Sequence, residues 1–400
     1  MIGALRSAVA LVRVPALTGV AAIATLTAAV AITAPASLAA QPYVAVNGNH
    51  LVGEGGETIR LLGVDRSGAE YECLGGEQIF DGPVDESSAA AIAAWHVNAV
   101  RVPLNEDCWL GIDGIATSVG GLAYRAAIEQ YVQTLQARGI VVILDLHWAA
   151  PGEHLAASQW PMADADHAPE FWKSVASAFA SGHGVIFDLF NEPYISSWSC
   201  WLEGCETSYD DEGTTVTYQS AGMQSLVDAV RSTGALEPIM LGGLGWSSDE
   251  SQWLAHEPHD PAGQLVVSFH TYNFSGCNDE ACWNAQIAPL AQAVPLITGE
   301  TGESGCKHTY IEAYMPWADA HGISYLGWTW NSTTAPSFWS CSEGPALIKT
   351  YAGKPTAFGA GLKRHLAKLA KRPRRAVRNR HGCCAARPPA TRAVASGARR

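Results

Sequence analysis

Two glutamates stand out for the company they keep. Glu192 lies in Asn191-Glu192-Pro193 and Glu300 in Gly299-Glu300-Thr301-Gly302, and each motif follows directly on an apolar run. Other apolar runs end on residues able to serve a pair of carboxyl groups: Arg101, His147-Trp148, His270-Thr271-Tyr272 and Trp328. Such a set suits cleavage of a glycosidic bond, in which one carboxylic acid protonates the leaving oxygen and one carboxylate meets the positive charge growing at the sugar carbon. The two groups then need different pKa values, which a cation beside one and a less charged setting for the other can provide. Arg101 and Tyr272 are suited to hold Glu300 ionised, and the Asn191 amide can donate to a sugar hydroxyl. Flat aromatic faces fit sugar rings. Trp328 is preferred as the platform over Trp330, which shares its strand face by period two. Trp148, Trp201, Trp246 and Trp339 are further platform candidates, with core packing as the alternative for each.

Groups scattered over 200 residues meet only if a regular scaffold collects them. Apolar runs recur at Ile59–Val64, Asn98–Val102, Ile140–Leu146, Val185–Phe190, Pro238–Leu241, Leu265–Phe269, Pro295–Thr298 and Ile323–Trp328. Amphipathic stretches such as Tyr124–Ala137, Pro169–Ala180 and Val216–Ser232 fill the intervals. Eight strands separated by room for helices predict an α/β fold, a (β/α)8 TIM barrel, preceded by a short N-terminal β-hairpin across Asn47-Gly48. A doubly wound open sheet competes, but no Gly-rich phosphate loop follows the first strand. In a barrel the residues that act on a ligand project from the C-terminal strand ends, where the residues named above fall.

These motifs, in this order, resemble glycoside hydrolase family 5, the cellulase family of the retaining barrel clan, across nearly all of residues 43–362. The resemblance implies that Glu192 is the general acid/base and Glu300 the nucleophile. It also implies that Arg101, His147, Asn191, His270, Tyr272 and Trp328 surround the substrate. An endo-β-1,4-glucanase acting on soluble β-glucans is the simplest expectation. Mannan, xyloglucan, β-1,3-glucan, glycolipid and disaccharide specificities within the family remain open. A catalytically silent sugar-binding barrel is disfavoured because both glutamates are present. No cofactor is expected. Metal-type spacing is lacking, and Asp164, Asp166 and His167 read as a solvated loop rather than a cation site.

Composition sets the remaining bounds. The chain is 48% hydrophobic and 16% charged, as a globular protein with a large core would be. Of its 25 Lys and Arg, 13 lie in 363–400, leaving 12 against all 38 acidic residues in 1–362. A body that acidic repels phosphate backbones, so nucleic acid is excluded as a partner of the folded part. Residues 1–40, with Arg6 and Arg13 before an apolar run and Ser37-Leu38-Ala39 after it, read as a signal peptide. A membrane anchor competes, but strand-like residues follow the small-residue site at once. Residues 41–362 then form the catalytic domain, and 363–400 a basic, disordered tail, with Leu362, Leu366 and Leu369 at helical spacing across the junction in Gly361–Lys371. A secreted, extracellular monomer with no membrane span after cleavage is expected, its partner a β-linked oligo- or polysaccharide. Ten cysteines without metal spacing fit export. Eight of them follow strand ends; adjoining barrel loops pair Cys73–Cys108 and Cys306–Cys341, and the other four sit as close pairs within single loops, Cys200–Cys205 and Cys277–Cys282.

Overall fold

The computed structural model describes residues 42–180, 183–211, 213–333, 340 and 345–371. Within them eight parallel strands close into a barrel: β1 (Leu62–Asp65), β2 (Ala99–Asn105), β3 (Val141–Trp148), β4 (Val185–Asp188), β5 (Ile239–Gly242), β6 (Leu265–Tyr272), β7 (Leu296–Gly302) and β8 (Ser324–Gly327). Each pairs with its sequence neighbours and β8 returns to β1. Strands covered on both faces must be apolar nearly throughout, which is why β2 and β6 are buried at every position.

The barrel interior near its strand starts is filled by Ala99, Val141, Ile143, Ile186, Met240, Val266, Ile297 and Leu326. Val44 and Leu51 join that cluster from a three-stranded antiparallel sheet, Ala45–Asn47, His50–Val52 and Thr58–Ile59, which closes the barrel at this end. The expected hairpin is therefore present with a third strand added. Thr58–Ile59 pairs with the hairpin rather than opening β1. Outside the barrel, the helix Leu122–Gln136 buries Tyr124, Ile128, Tyr131, Val132 and Leu135, a stripe of helical period laid on the sheet. Gly139, at φ 72°, supplies the left-handed turn that releases the chain into β3.

Two boundaries differ from the sequence reading. The first part of Val216–Ser232 is a strand: Thr214–Gln219 pairs with Glu206–Asp211, and the helix begins only at Met223. β-branched Thr and Val alternate there, and that pattern prevails over the amphipathic one. At the other end, the helix Ala357–Ala370 crosses the expected domain limit at 362. Thr356 caps it by accepting from the Gly359 amide at 3.0 Å, and it buries Phe358, Leu362 and Leu366. Arg364 and His365 on the same helix bond Glu312 at 2.8 Å and Asp319 at 2.8 Å. The signal-peptide assignment to 1–40 and the tail from 372 onward lie outside the described residues. Among the described residues no helix is long and apolar enough to cross a membrane.

Three of the four expected disulfides are formed, Cys73–Cys108, Cys200–Cys205 and Cys277–Cys282. Cys306 is itself disulfide-bonded, while Cys341, the position expected to pair with it, lies outside the described residues.

Candidate active site

The register of the barrel builds the site from the bottom. Asp65 sits opposite Arg101, and Asp145 opposite Asp188, so three carboxyls and one guanidinium meet in a fully buried layer. Arg101 reaches Asp188 through Nε at 2.9 Å, Asp145 through Nη2 at 3.0 Å and Asp65 through Nη1 at 3.3 Å. Burial works against its charge, but Asp145, Asp188, Glu300 and Asp65 outweigh it and raise its pKa further. Burial drives Asp188 the other way, up to about 8, against the pull of Arg101. The planar fork lets one residue hold this many acceptors in fixed directions, which a lysine could not.

From this layer Arg101 also reaches two residues of the cleft above. Its Nη1 donates to Glu300 Oε1 at 2.7 Å and its Nη2 to Asn191 Oδ1 at 2.8 Å. The other oxygen of Glu300 accepts from the Tyr272 hydroxyl at 2.6 Å. Burial, with Glu300 and Glu192 facing it, pushes the Tyr272 hydroxyl well up, so it remains a donor. His270 Nδ1 lies 3.0 Å from Glu192 Oε1 and 3.7 Å from Glu300 Oε2. An oxygen of Glu192 and one of Glu300 lie within 4.8 Å of each other. Burial lifts Glu192 to about 7 and lowers His270 to about 4, leaving a neutral imidazole beside a carboxyl that holds its proton close to neutrality.

Gly299 explains how the two glutamates come this close. The β6–β7 register slips between Phe269 and His270, so His270 faces Glu300 and Gly299 is passed over. A Cβ on Gly299 would lie 2.7 Å from His270 Nε2 and 2.9 Å from Met240 Cε. Any side chain there would displace the imidazole that bonds Glu192 beside Glu300.

Above these groups opens a cleft of about 580 Å3, lined among others by His147, Asn191, Glu192, Tyr272, Glu300 and Trp328. Trp328 stacks on His147, ring centroids 5.4 Å apart and planes 7° from parallel. Burial opposes a charge on His147, yet Asp145, 2.6 Å from its Nδ1, holds the net shift upward. Trp330 is fully buried edge-on against Trp95 and belongs to the core. Trp148 is turned toward Tyr71, ring centroids 6.5 Å apart, and lies outside the cleft lining. Trp201 is also core, donating to the Gly242 carbonyl at 2.8 Å. Trp246 does reach the cleft, 55% exposed and stacked on Tyr194, whereas Trp339 lies outside the described residues.

Two residues at the site were not anticipated, one behind the Asn-Glu pair and one in the cleft wall. Gln159 accepts from Asn191 Nδ2 at 2.9 Å and donates to the Glu192 carbonyl at 3.3 Å, fixing the Asn-Glu pair from a loop that has no periodicity to betray it. Phe274, 67% exposed, stacks on Tyr272 at 5.1 Å. Its one sequence signal is its position just beyond the His-Thr-Tyr strand end. Asp164, expected in a solvated loop, is instead buried, at 1% exposure.

A closed parallel barrel with two carboxyl groups facing each other across its C-terminal rim defines the class, that of barrel glycoside hydrolases. Residues 64–334 match the model of the cellulase family, glycosyl hydrolase family 5, and the chain belongs to that family. It is 26% identical over 301 residues to Endoglucanase E-5 of Thermobifida fusca, covering 72% of this chain and 55% of that protein. Mannan endo-1,4-beta-mannosidase of Streptomyces lividans is 25% identical over 261 residues, 62% of this chain and 58% of the relative. The chain thus spans little more than half the length of these curated relatives. Among solved structures, beta-glucanase SdGluc5_26A from Saccharophagus degradans in complex with cellotetraose shares the fold, with a TM-score of 0.64 at 20% identity. That alignment covers 84% of this chain and 95% of the other.

Proposed function

We propose that the protein is a secreted, monomeric, retaining β-glycosidase that cleaves internal β-1,4 linkages of soluble glucans. The carrying observation is the spacing of the two glutamates: oxygens within 4.8 Å of each other favour the close carboxyl pair of a retaining enzyme over the wider gap of an inverting one. Glu300, positioned by Arg101 and Tyr272, attacks the anomeric carbon, and the bond to the leaving oxygen breaks as Glu192 delivers its proton to that oxygen. Glu192, now a carboxylate, takes a proton from water. That water adds to the same carbon, and Glu300 leaves. The Asn191 amide, pinned by Arg101 and Gln159, is oriented to donate to the sugar ring during both steps.

Glucan as the substrate is supported by family membership and by the endoglucanases among the relatives. Internal cleavage is supported by the cleft's aromatic residues: Trp328, Trp246 and Phe274 line it, while Trp201 and Trp283 are packed in the core and do not wall off its ends. Export is supported by the disulfides, which persist in oxidising compartments. The test is hydrolysis of a panel of soluble glucan, mannan and xyloglucan. Viscosity is followed against reducing-sugar release, and proton NMR identifies the first anomer formed. Retention with rapid viscosity loss on the glucan supports the proposal. Net inversion would sink the mechanism, and faster turnover of mannan would sink the substrate.

A further inference from the structure

A second cluster of acidic groups lies behind the active site, at the junction between the end of β2 and the start of the helix Ala168–Phe179. Glu106 and Asp107 open the short helix Glu106–Leu110 directly after β2, and Asp164 and His167 precede Ala168. Glu106 and Asp107 are completely buried and Asp164 is 1% exposed. An oxygen of Glu106, an oxygen of Asp164 and a ring nitrogen of His167 all lie within 4.8 Å of one another.

The hydrogen bonding of this cluster is one-sided. Each carboxyl has one oxygen tied to the backbone: Glu106 Oε2 accepts from Ala150 at 3.4 Å, Asp107 Oδ2 from Ala156 at 2.7 Å and Asp164 Oδ1 from His167 at 2.7 Å. The opposite atoms, Glu106 Oε1, Asp107 Oδ1, Asp164 Oδ2 and His167 Nδ1, are buried and meet no amide or hydroxyl donor, and the same holds for Asp113 Oδ2 at the rim; the carboxyls lie within hydrogen-bond reach only of one another, Glu106 of Asp164 and Asp107 of Asp113. Among the described residues no Lys or Arg forms an ion pair with any of them. Buried carboxyls facing one another are costly unless a shared proton or a bound cation lies between them, and Glu106 and Asp164 are close enough to do either. Their orientation by backbone amides is the outer support that metal-ligating carboxylates require.

We propose that Glu106, Asp164 and His167 form a binding site for one divalent metal ion. Asp107 and Asp113 supply further oxygens, directly or through water. Ligands at about 2.0–2.6 Å from an ion lie up to about 4–5 Å apart, the spread found here. Carboxylates with one imidazole fit Mn2+ better than Ca2+, which prefers oxygen alone. Half-exposed Asp113 and His167 give the ion a way in. The ion ties the end of β2 to the far end of loop 149–167, the loop that carries Gln159 onto Asn191 and Glu192. Its role is to hold that loop, and it is separate from the reacting carboxyls.

The test uses the full chain, stripped with chelator and titrated with MnCl2 by calorimetry, with melting temperature followed alongside. One Mn2+ per chain is expected, with a rise in melting temperature of about 5 °C at a hundredfold excess over Kd. Glu106→Gln and Asp164→Asn keep the shape of each side chain and remove its charge, and each should weaken binding at least tenfold. Glu300→Gln should leave binding unchanged, which separates this site from the catalytic pair. Should Glu106→Gln fail to fold, as judged by circular dichroism, His167→Ala at the rim carries the same test. Absence of Mn2+ binding to the wild type, undiminished binding by the charge-removing variants, or loss confined to Glu300→Gln would each overturn the assignment.

Discussion

Tyr272→Phe isolates one hydrogen bond to Glu300, the nucleophile in the proposed mechanism. The substitution removes a single oxygen and keeps the ring that stacks on Phe274. Glu300 Oε2 then loses its donor at 2.6 Å, and no neighbour replaces it, because His270 Nδ1 at 3.7 Å is too far to bond. The Arg101 bond to Oε1 is untouched. A hydrogen bond to a charged group is worth about 1.5–3 kcal/mol, which at 1.36 kcal/mol per tenfold is about 10- to 150-fold in rate. The direction differs between the two chemical steps. Glu300 gives up its charge when it attacks and regains it when it leaves, so a donor that stabilises the carboxylate assists departure more than attack. The variant should therefore be slowed chiefly in deglycosylation. With an aryl β-glycoside, rapid mixing should show a burst of released phenol close to one per enzyme. The steady state after it should have kcat about 10- to 150-fold below wild type and a lowered KM. A fall in kcat of less than threefold without a burst would refute the role given to Tyr272. Equal loss of kcat and kcat/KM without a burst would place the bond in the first step instead.

Burial holds the Glu192 proton up to about 7, and the acid form is the active one, so kcat/KM should fall as pH rises through about 7. Glu192→Gln should lose that limb in its residual activity on dinitrophenyl glycosides, whose leaving group needs no proton. Persistence of the limb there would assign it to another group. Gly299→Ala forces a Cβ to within 2.7 Å of His270 Nε2 and 2.9 Å of Met240 Cε, an overpacking cost of about 1–3 kcal/mol. Urea denaturation should show a lowered midpoint together with reduced kcat, and an unchanged midpoint would mean that the slip between β6 and β7 relaxes freely.

Much of the catalytic rim is legible in the chain because a parallel barrel converts sequence position into spatial position. Each βα unit brings its strand end to the same rim, so reading the last residues of eight apolar runs finds Arg101, His147, Asn191, Glu192, His270, Tyr272, Glu300 and Trp328 without knowledge of packing. Disulfides within a loop or between adjacent loops follow from the same order. The choice between Trp328 and Trp330 does not, because period two holds only while a strand continues. β8 ends at Gly327, and beyond it the chain's path, set by what it packs on, sends Trp330 into the core against Trp95.

What the sequence by itself determined was the scaffold and which residue types stand at its rim, since both rest on local signals: hydrophobic period, and residue type at the point where the period stops. What tertiary structure alone decided was environment. Asp65, Asp145 and Asp188 look like ordinary strand residues until strand register stacks them around one guanidinium. Gln159 is an unremarked loop residue until its amide meets Asn191. Trp201 and Trp283 carry the same ring as Trp246, and only the third faces the cleft. Glu106 and Asp164, 58 positions apart, become a buried facing pair only when two segments close on each other. Burial, charge pairing and pKa depend on the sum of neighbours brought from distant parts of the chain, and no local pattern encodes that sum.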